Sequence, residues 1–293
     1  MTFLDHYHVL AAYIQLRAND TLSICQAYNE FEPSADVDTH ALGKLLINCW
    51  SAEYALRITP VVNDEQYLQS SLHWTFPQGY YSVLFSSRAF LLVTGKSISN
   101  EENISRAIGS LVNRGYYPPA IGFYAFGLPG KYMTRRLPAT VPLLGEFVNT
   151  TRDKRVKTLA RSIQTNPKTA LRHPKTGAIL EELSPEQYRE VCKQVGFTTI
   201  FNLMSRLRIS STNREIEQYV DGTIDVRAFH ASLQNIVAYI NGVHEQYIIK
   251  AIGTEAYSAI VWAAPSYLRE SFVRERMYSF ATFNQSINCS DHA

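Results

Sequence analysis

Long apolar runs are missing from this chain. No window of about 18 consecutive apolar residues occurs, so no membrane-spanning helix is expected and a membrane is not an expected partner. Cysteine is sparse: Cys25, Cys49, Cys192 and Cys289 lie far apart with no CxxC pair. That pattern argues against a disulfide scaffold or a zinc site and fits free thiols in a reducing compartment. The opening MTFLDHYHVL lacks the basic start and apolar middle of a secretory signal, so a cytoplasmic location is expected. Familiar catalytic patterns are absent as well. Gly127-Leu128-Pro129-Gly130-Lys131 does not have the spacing of a phosphate-binding loop, and neither GxSxG nor HExxH occurs. The eight histidines do not pair with carboxylates or cysteines at ligand spacing; His6 and His8 are two apart and want a third ligand. No metal and no cofactor is therefore expected. Strand signals are also sparse.

Helical periodicity is abundant. The stretch Phe76 to Gly95, FPQGYYSVLFSSRAFLLVTG, reads as one buried helix. Pro77 suits a first-turn position and Gly95 the left-handed residue beyond the end. Tyr81, Leu84, Phe85, Arg88, Leu91 and Leu92 repeat at helical spacing, with Tyr80, Val83, Phe90 and Val93 on a second apolar face. Arg88 stands out on that face. It reads either as a snorkelling or carboxylate-paired arginine or as a phosphate contact.

Further helices are expected over 3–28 (breaking near Asn19-Asp20-Thr21), 39–58 and 63–74. Others are expected after the capping box Ser99-Asn100-Glu101-Glu102, over 144–163, after the Ser184-Pro185-Glu186-Gln187 start, and over 225–252 and 256–278. Gly115 to Gly145 differs, with five of the twelve prolines and many aromatic residues, Tyr116, Tyr117, Phe123, Tyr124, Phe126 and Tyr132 among them. It is too aromatic for a solvated linker and is read as a packed irregular connection. The expected organisation is an all-α multi-helix bundle: an N-terminal half over 1–115, a connection over 116–145, a C-terminal half over 146–285 and a frayed tail over 286–293.

Charge is unevenly distributed. Residues 131–175 hold eleven Lys or Arg against Glu146 and Asp153, so that block carries +9 and the remainder −7, within a net +2. Arg135, Arg136, Arg152, Lys154, Arg155, Lys157, Arg161, Lys168, Arg172 and Lys175, with Tyr132, form the candidate nucleic-acid-binding set. Cations neutralise phosphates and rings stack unpaired bases; the other reading is a solvated basic helix face beside a packed loop. Arg227, His230 and His244 on the 225–252 helix are the candidate catalytic residues, an arginine to hold phosphate and histidines to move a proton, or else ordinary surface and core residues. Arg206, Arg208, Asn213 and Arg214 could grip a phosphate, cap carbonyls or pair with Glu215 and Glu217.

Tyr80-Tyr81, the small residues Ser86, Ser87 and Ala89, and the end Gly95-Lys96 together resemble the second main helix of HEPN-type bundles. The stretch from Leu203 to Gly253, with LRISSTNREIEQYV followed by a long helix ending Ile252-Gly253, is similar to the back half of such proteins. The resemblance covers about half the chain. It implies a helical bundle of prokaryotic antiphage, toxin–antitoxin or RNA-processing systems, many of whose members are dimeric metal-independent ribonucleases. The family's catalytic mark is an arginine followed, after four to six residues, by a histidine. No histidine here has one: Arg227–His230 is too close and Arg172–His173 is adjacent. The expectation is thus a non-catalytic binding or regulatory component. Its expected partners are RNA or single-stranded DNA and a protein partner or second copy of the chain. A degenerate ribonuclease and a structural interaction scaffold are the alternatives.

Overall fold

The computed structural model describes residues 3–17, 22, 25–165, 183–212 and 225–280. Expectations on the break at 19–21, on Lys168, Arg172 and Lys175, on Asn213, Arg214 and the segment to Val220, and on the tail over 286–293 lie outside the described residues. The described chain is mostly helical: α1 (Phe3–Leu16), α2 (Gln26–Asn29), α3 (Thr39–Ile58), α4 (Glu65–Ser70), α5 (Leu72–Val93), α6 (Glu101–Asn113), α7 (Pro142–Thr165), α8 (Pro185–Val195), α9 (Ile200–Thr212), α10 (Val226–Ile252), α11 (Thr254–Ala263), α12 (Ser266–Arg269) and a helical run, α13, over 272–280. Among the described residues, no helix is long and apolar enough to cross a membrane.

α5 is the central element, packed against α3, α9 and α10, while α1 lies along α10. Gly79 permits the close approach of α5 to α10, since a Cβ there would meet the Leu233 side chain at 3.2 Å. Phe76 packs on Phe229 at 5.5 Å and Phe90 on Tyr247 at 4.6 Å between ring centres. One hydrophobic cluster runs from α1 through α5 and α9 to 272–280, across the connection expected to separate two halves. A small second cluster joins α7 to α8 through Val156, Val191 and Val195.

The helix expected from Phe76 begins earlier, at Leu72, and Pro77 lies inside it. An interior proline costs about 3 kcal/mol, but Leu72 and Phe76 are fully buried and contribute roughly 1.5–3 kcal/mol each. The extra turn therefore forms despite the proline. At the other end Gly95 is left-handed (φ +79°); its N–H donates to Leu92 O and that of Lys96 to Leu91 O, a Schellman close. The two faces of α5 also differ from their sequence reading. Tyr80, Val83, Phe90 and Leu91 point into the core, while Tyr81, Phe85, Arg88 and Leu92 form the partly exposed side. The cap of α6 is Asn100, which accepts from the Asn103 N–H, rather than Ser99. The Ser184–Gln187 capping box forms as read. Gly196 (φ +66°) separates α8 from α9, and Pro265 lies between α11 and α12 within the stretch expected as one helix over 256–278.

The irregular connection contains a β-hairpin, β1 (Tyr124–Leu128) and β2 (Lys131–Arg135), turning at Pro129-Gly130. The described chain keeps the expected all-α class, with this short hairpin as a local addition. Five-residue strands of alternating side chains with a Pro-Gly turn carry too little signal among so many prolines to stand out.

A charged network fixes the C-terminal helices. Arg276, on α13, donates from Nη1 to Glu245 Oε1 on α10 at 2.7 Å and from Nη2 to Glu53 Oε1 on α3. Arg57 reaches the same Glu53 oxygen at 2.8 Å, and Asn241 Nδ2 donates to Glu53 Oε2 at 2.8 Å. Trp50 Nε1 and Tyr257 OH donate to the two Glu245 oxygens at 3.1 and 2.6 Å. Burial alone would raise the Glu53 carboxyl, but Arg276 and Arg57 hold it below the usual carboxylate range. Removing one partner of such a buried pair strands the other charges. Arg276→Met is expected to lower the unfolding free energy by about 3–5 kcal/mol. Arg274→Met, at an exposed position of the same helix, should stay within about 0.5 kcal/mol. Urea denaturation of the two variants measures the difference.

Candidate nucleic-acid interface

Pairing of Phe126 with Met133 sorts the hairpin into two faces. Ala125, Tyr132 and Thr134 turn toward α7. Ala125 is fully buried, Tyr132 OH donates to Asp153 Oδ1 at 3.0 Å, and Thr134 Oγ1 donates to Asn149 Oδ1 at 3.1 Å. Tyr124, Phe126, Leu128, Lys131, Met133 and Arg135 alternate with them, Tyr124 packing on the main core and Leu128 on the α7–α8 cluster, which leaves Phe126, Lys131, Met133 and Arg135 toward the opposite face. An isolated bridge from Ala125 to Thr198 adds a short third rung and brings Phe197 to 5.0 Å from Tyr124 and 6.5 Å from Phe126. Only glycine fits at 127: its φ is +102°, and a Cβ would stand 2.6 Å from Lys131 O.

The outer face thus combines partly buried rings with cations. Arg135 lies over the Phe126 ring at 5.9 Å and Arg136 over Tyr124 at 5.7 Å. Lys131, Arg135 and Met133 are exposed. Arg136 is tethered, donating to Val112 O and Asn113 O at 2.7 and 3.0 Å at the C-terminal end of α6. Sequence reasoning placed Arg135 and Arg136 in the binding set but missed Phe197, which joins the rings only through the Thr198 bridge.

Three members of the expected set leave it. Arg152 is buried, at 1% exposure, and donates to Gly127 O and Gly196 O at 2.9 and 2.7 Å. Arg155 donates to Val195 O, Phe197 O and Ser105 Oγ at 2.9–3.1 Å, with Glu102 at 3.4 Å. Burial lowers the Arg152 guanidinium and pushes that of Arg155 down to about 10, so both stay charged near neutral pH. These side chains join the hairpin, α6, α7 and the α8–α9 turn instead of facing solvent. Tyr132 is likewise occupied on the inner face by Asp153. What α7 does present is Lys154, Lys157 and Arg161, all exposed and within an arc of about 60° on the helix. Lys157 pairs with Asp153 at 2.6 Å.

The candidate catalytic residues are not brought together. His230 and His244 are buried and separated along α10 by roughly 21 Å of helix rise. His230 Nε2 faces Leu68 O at 3.4 Å, and burial lowers the ring below its usual value. His244 is held between Ser86 Oγ at 2.9 Å and Tyr117 OH at 2.8 Å and stacks on Phe90; burial pushes it down to about 3. A neutral imidazole sealed in the core has no substrate to reach. Arg227 is exposed and bound to Asn63 Oδ1 at 2.7 Å, with Glu65 at 3.7 Å. Of the remaining arginines, Arg208 pairs with Glu101 at 2.9 Å, and Arg206 bonds Thr151 Oγ1 at 3.0 Å over the Phe147 ring.

Two outcomes follow from this placement. Arg152→Met strands the Gly127 and Gly196 carbonyls and should cost at least about 2 kcal/mol, whereas Arg161→Met stays within about 0.5 kcal/mol by chemical denaturation. His244 takes up its proton in the unfolded chain near its ordinary 6.5, but in the folded chain only near 3. Stability from this group is complete above about pH 6.5 and falls as pH drops toward 3, by about 1.4 kcal/mol per pH unit. His230 acts in the same direction. Unfolding free energies between pH 7 and 5 should show a shallower fall in His244→Gln than in the unsubstituted protein. Compared with protein-family models, curated proteins and solved structures, the chain matches none of them.

Proposed function

We propose that this chain is a non-catalytic binding component that holds unpaired RNA or single-stranded DNA on the outer face of its β-hairpin. The observation that carries the reading is the set of partly buried rings Tyr124, Phe126 and Phe197 with Arg135 and Arg136 placed over two of them. Rings give a sequence-tolerant stacking platform, and adjacent guanidiniums take the phosphates. The exposed stripe Lys154–Lys157–Arg161 supplies a second cationic track on α7. From the sequence resemblance alone, the proposal extends to a HEPN-like relationship, in a branch without the arginine–histidine nuclease site. On that relationship rests the proposed role in an antiphage-defence or toxin–antitoxin system, beside a protein partner or second copy of the chain. Burial of His230 and His244 disfavours the degenerate-ribonuclease alternative.

Fluorescently labelled oligo-uridine and oligo-thymidine, titrated with protein between about 50 and 200 mM salt, test the reading. Binding should weaken steeply with salt and leave the oligonucleotide intact. Phe126→Ala should lose about tenfold in affinity through lost stacking. Lys154→Gln/Arg161→Gln should lower the salt slope by about 1–2. Equal affinity in Phe126→Ala and Arg135→Gln would remove the hairpin face from consideration, and cleavage products would return the nuclease alternative.

A further inference from the structure

A second cationic feature lies elsewhere in the molecule, between α3 and α5. Ala41, Lys44, Leu45 and Asn48 recur at helical spacing along α3, facing Arg88 and Leu92 of α5. Ser97 and Ile98, beyond the end of α5, close the rim. The cleft has a volume of about 300 Å³. Its electrostatics are one-sided. α5 contains no Asp or Glu, and neither does the stretch 94–99, which adds Lys96; the carboxylate beside the lining is Asp38, engaged as the cap of α3 by the Ala41 N–H at 2.9 Å. The sole carboxylate of α3, Glu53, is taken by Arg57, Arg276 and Asn241. Neither Lys44 nor Arg88 forms an ion pair with a described carboxylate.

Arg88 Nε is moreover sealed from solvent without a hydrogen-bond partner. That nitrogen is closed to a ligand as it is to water, so the rest of the guanidinium, on a partly exposed side chain lining the cleft, is what a bound anion would meet. Two like charges facing one concave surface focus a positive potential into it. Of the readings of Arg88 open in the sequence, carboxylate pairing is not what the described residues provide, which leaves a snorkelling side chain and a phosphate contact.

We propose that the α3–α5 cleft binds a small phosphate monoester. Arg88 and Lys44 hold the phosphate, the first through its planar fork and the second as a point charge. Asn48 and Ser97 offer hydrogen bonds at the rim. Leu45, Leu92 and Ile98 contact an apolar or single-ring body. A volume near the lower end of ligand pockets, about 300–1,000 Å³, suits one phosphate and one ring and is too small for a dinucleotide. The site is independent of the hairpin face and stands whether or not that face binds nucleic acid.

Isothermal titration with phenyl phosphate, inorganic phosphate and benzyl alcohol tests this on the full chain. Saturable binding of phenyl phosphate is expected at about millimolar concentration or below, tighter than inorganic phosphate, with none for benzyl alcohol. Arg88→Gln and Lys44→Gln should each weaken it about tenfold, and Lys154→Gln/Arg161→Gln should leave it unchanged. Ser97→Glu, at an exposed rim position, places a carboxylate beside Arg88 and should block binding without loss of melting temperature, a control should Arg88→Gln fail to fold. The proposal is overturned by no saturation at millimolar phenyl phosphate, by benzyl alcohol binding equally well, by unaltered affinity in Lys44→Gln and Ser97→Glu, or by loss of binding in the α7 variant.

Discussion

Arg276 bridging Glu53 and Glu245 is the interaction on which the arrangement of the bundle depends. Three elements distant in sequence, α3, α10 and the helix over 272–280, each place a charge at one point, where both carboxylates are fully buried and the Arg276 side chain is 11% exposed. With Arg57 the group is formally neutral, two carboxylates against two guanidiniums, and Trp50, Tyr257 and Asn241 fill the remaining acceptor sites. Ion pairs of this kind contribute little net stability over an apolar alternative, because desolvation cancels most of the attraction. Their effect is on register: a slip of one residue in any of the three helices would leave a buried charge without its partner. Apolar packing of α5 against α10 supplies the attraction, and the network selects one alignment.

The same logic operates at the other side of the molecule with backbone carbonyls in place of carboxylates. The hairpin and the α8–α9 turn present carbonyl groups where no regular ladder can satisfy them all. Arg152 and Arg155 reach from one helix into both and supply the donors. A guanidinium suits this task because it offers several N–H groups in a plane and keeps its charge when buried. Part of the basic block is therefore internal glue, and the cationic surface is smaller than the sequence count of +9 implies.

What faces outward is organised by that glue. Holding the inner side of the hairpin to α7 turns Phe126, Met133 and Arg135 outward, and the Thr198 bridge sets Phe197 beside them. The α3–α5 cleft arises differently. There α5 turns Arg88 and Leu92 toward a face of α3 that contributes Lys44, and neither helix spares a carboxylate to neutralise the pair. Each surface exposes positive charge, but one offers a broad platform of rings and the other a small recess.

Local periodicity and end signals determined much of the helical layout. Thr39–Ile58 and Val226–Ile252 agree closely with their apolar spacing, Ser184 caps α8 as its spacing requires, and Gly95 and Gly253 end their helices with positive φ. These features depend on neighbours within a few residues, which a linear reading contains. The hairpin, the interior position of Pro77 and the outward turn of Tyr81 and Arg88 were decided by tertiary packing, since each depends on which face meets the core. The same holds for the charged residues. Arg152 and Lys154 are two apart and alike in sequence, yet one is enclosed by carbonyls 25 and 44 residues away and the other meets water. His230 and His244 shared a helix in the sequence, and only packing against α4, α5 and Tyr117 enclosed both, because burial is set by contacts that form across the chain rather than along it.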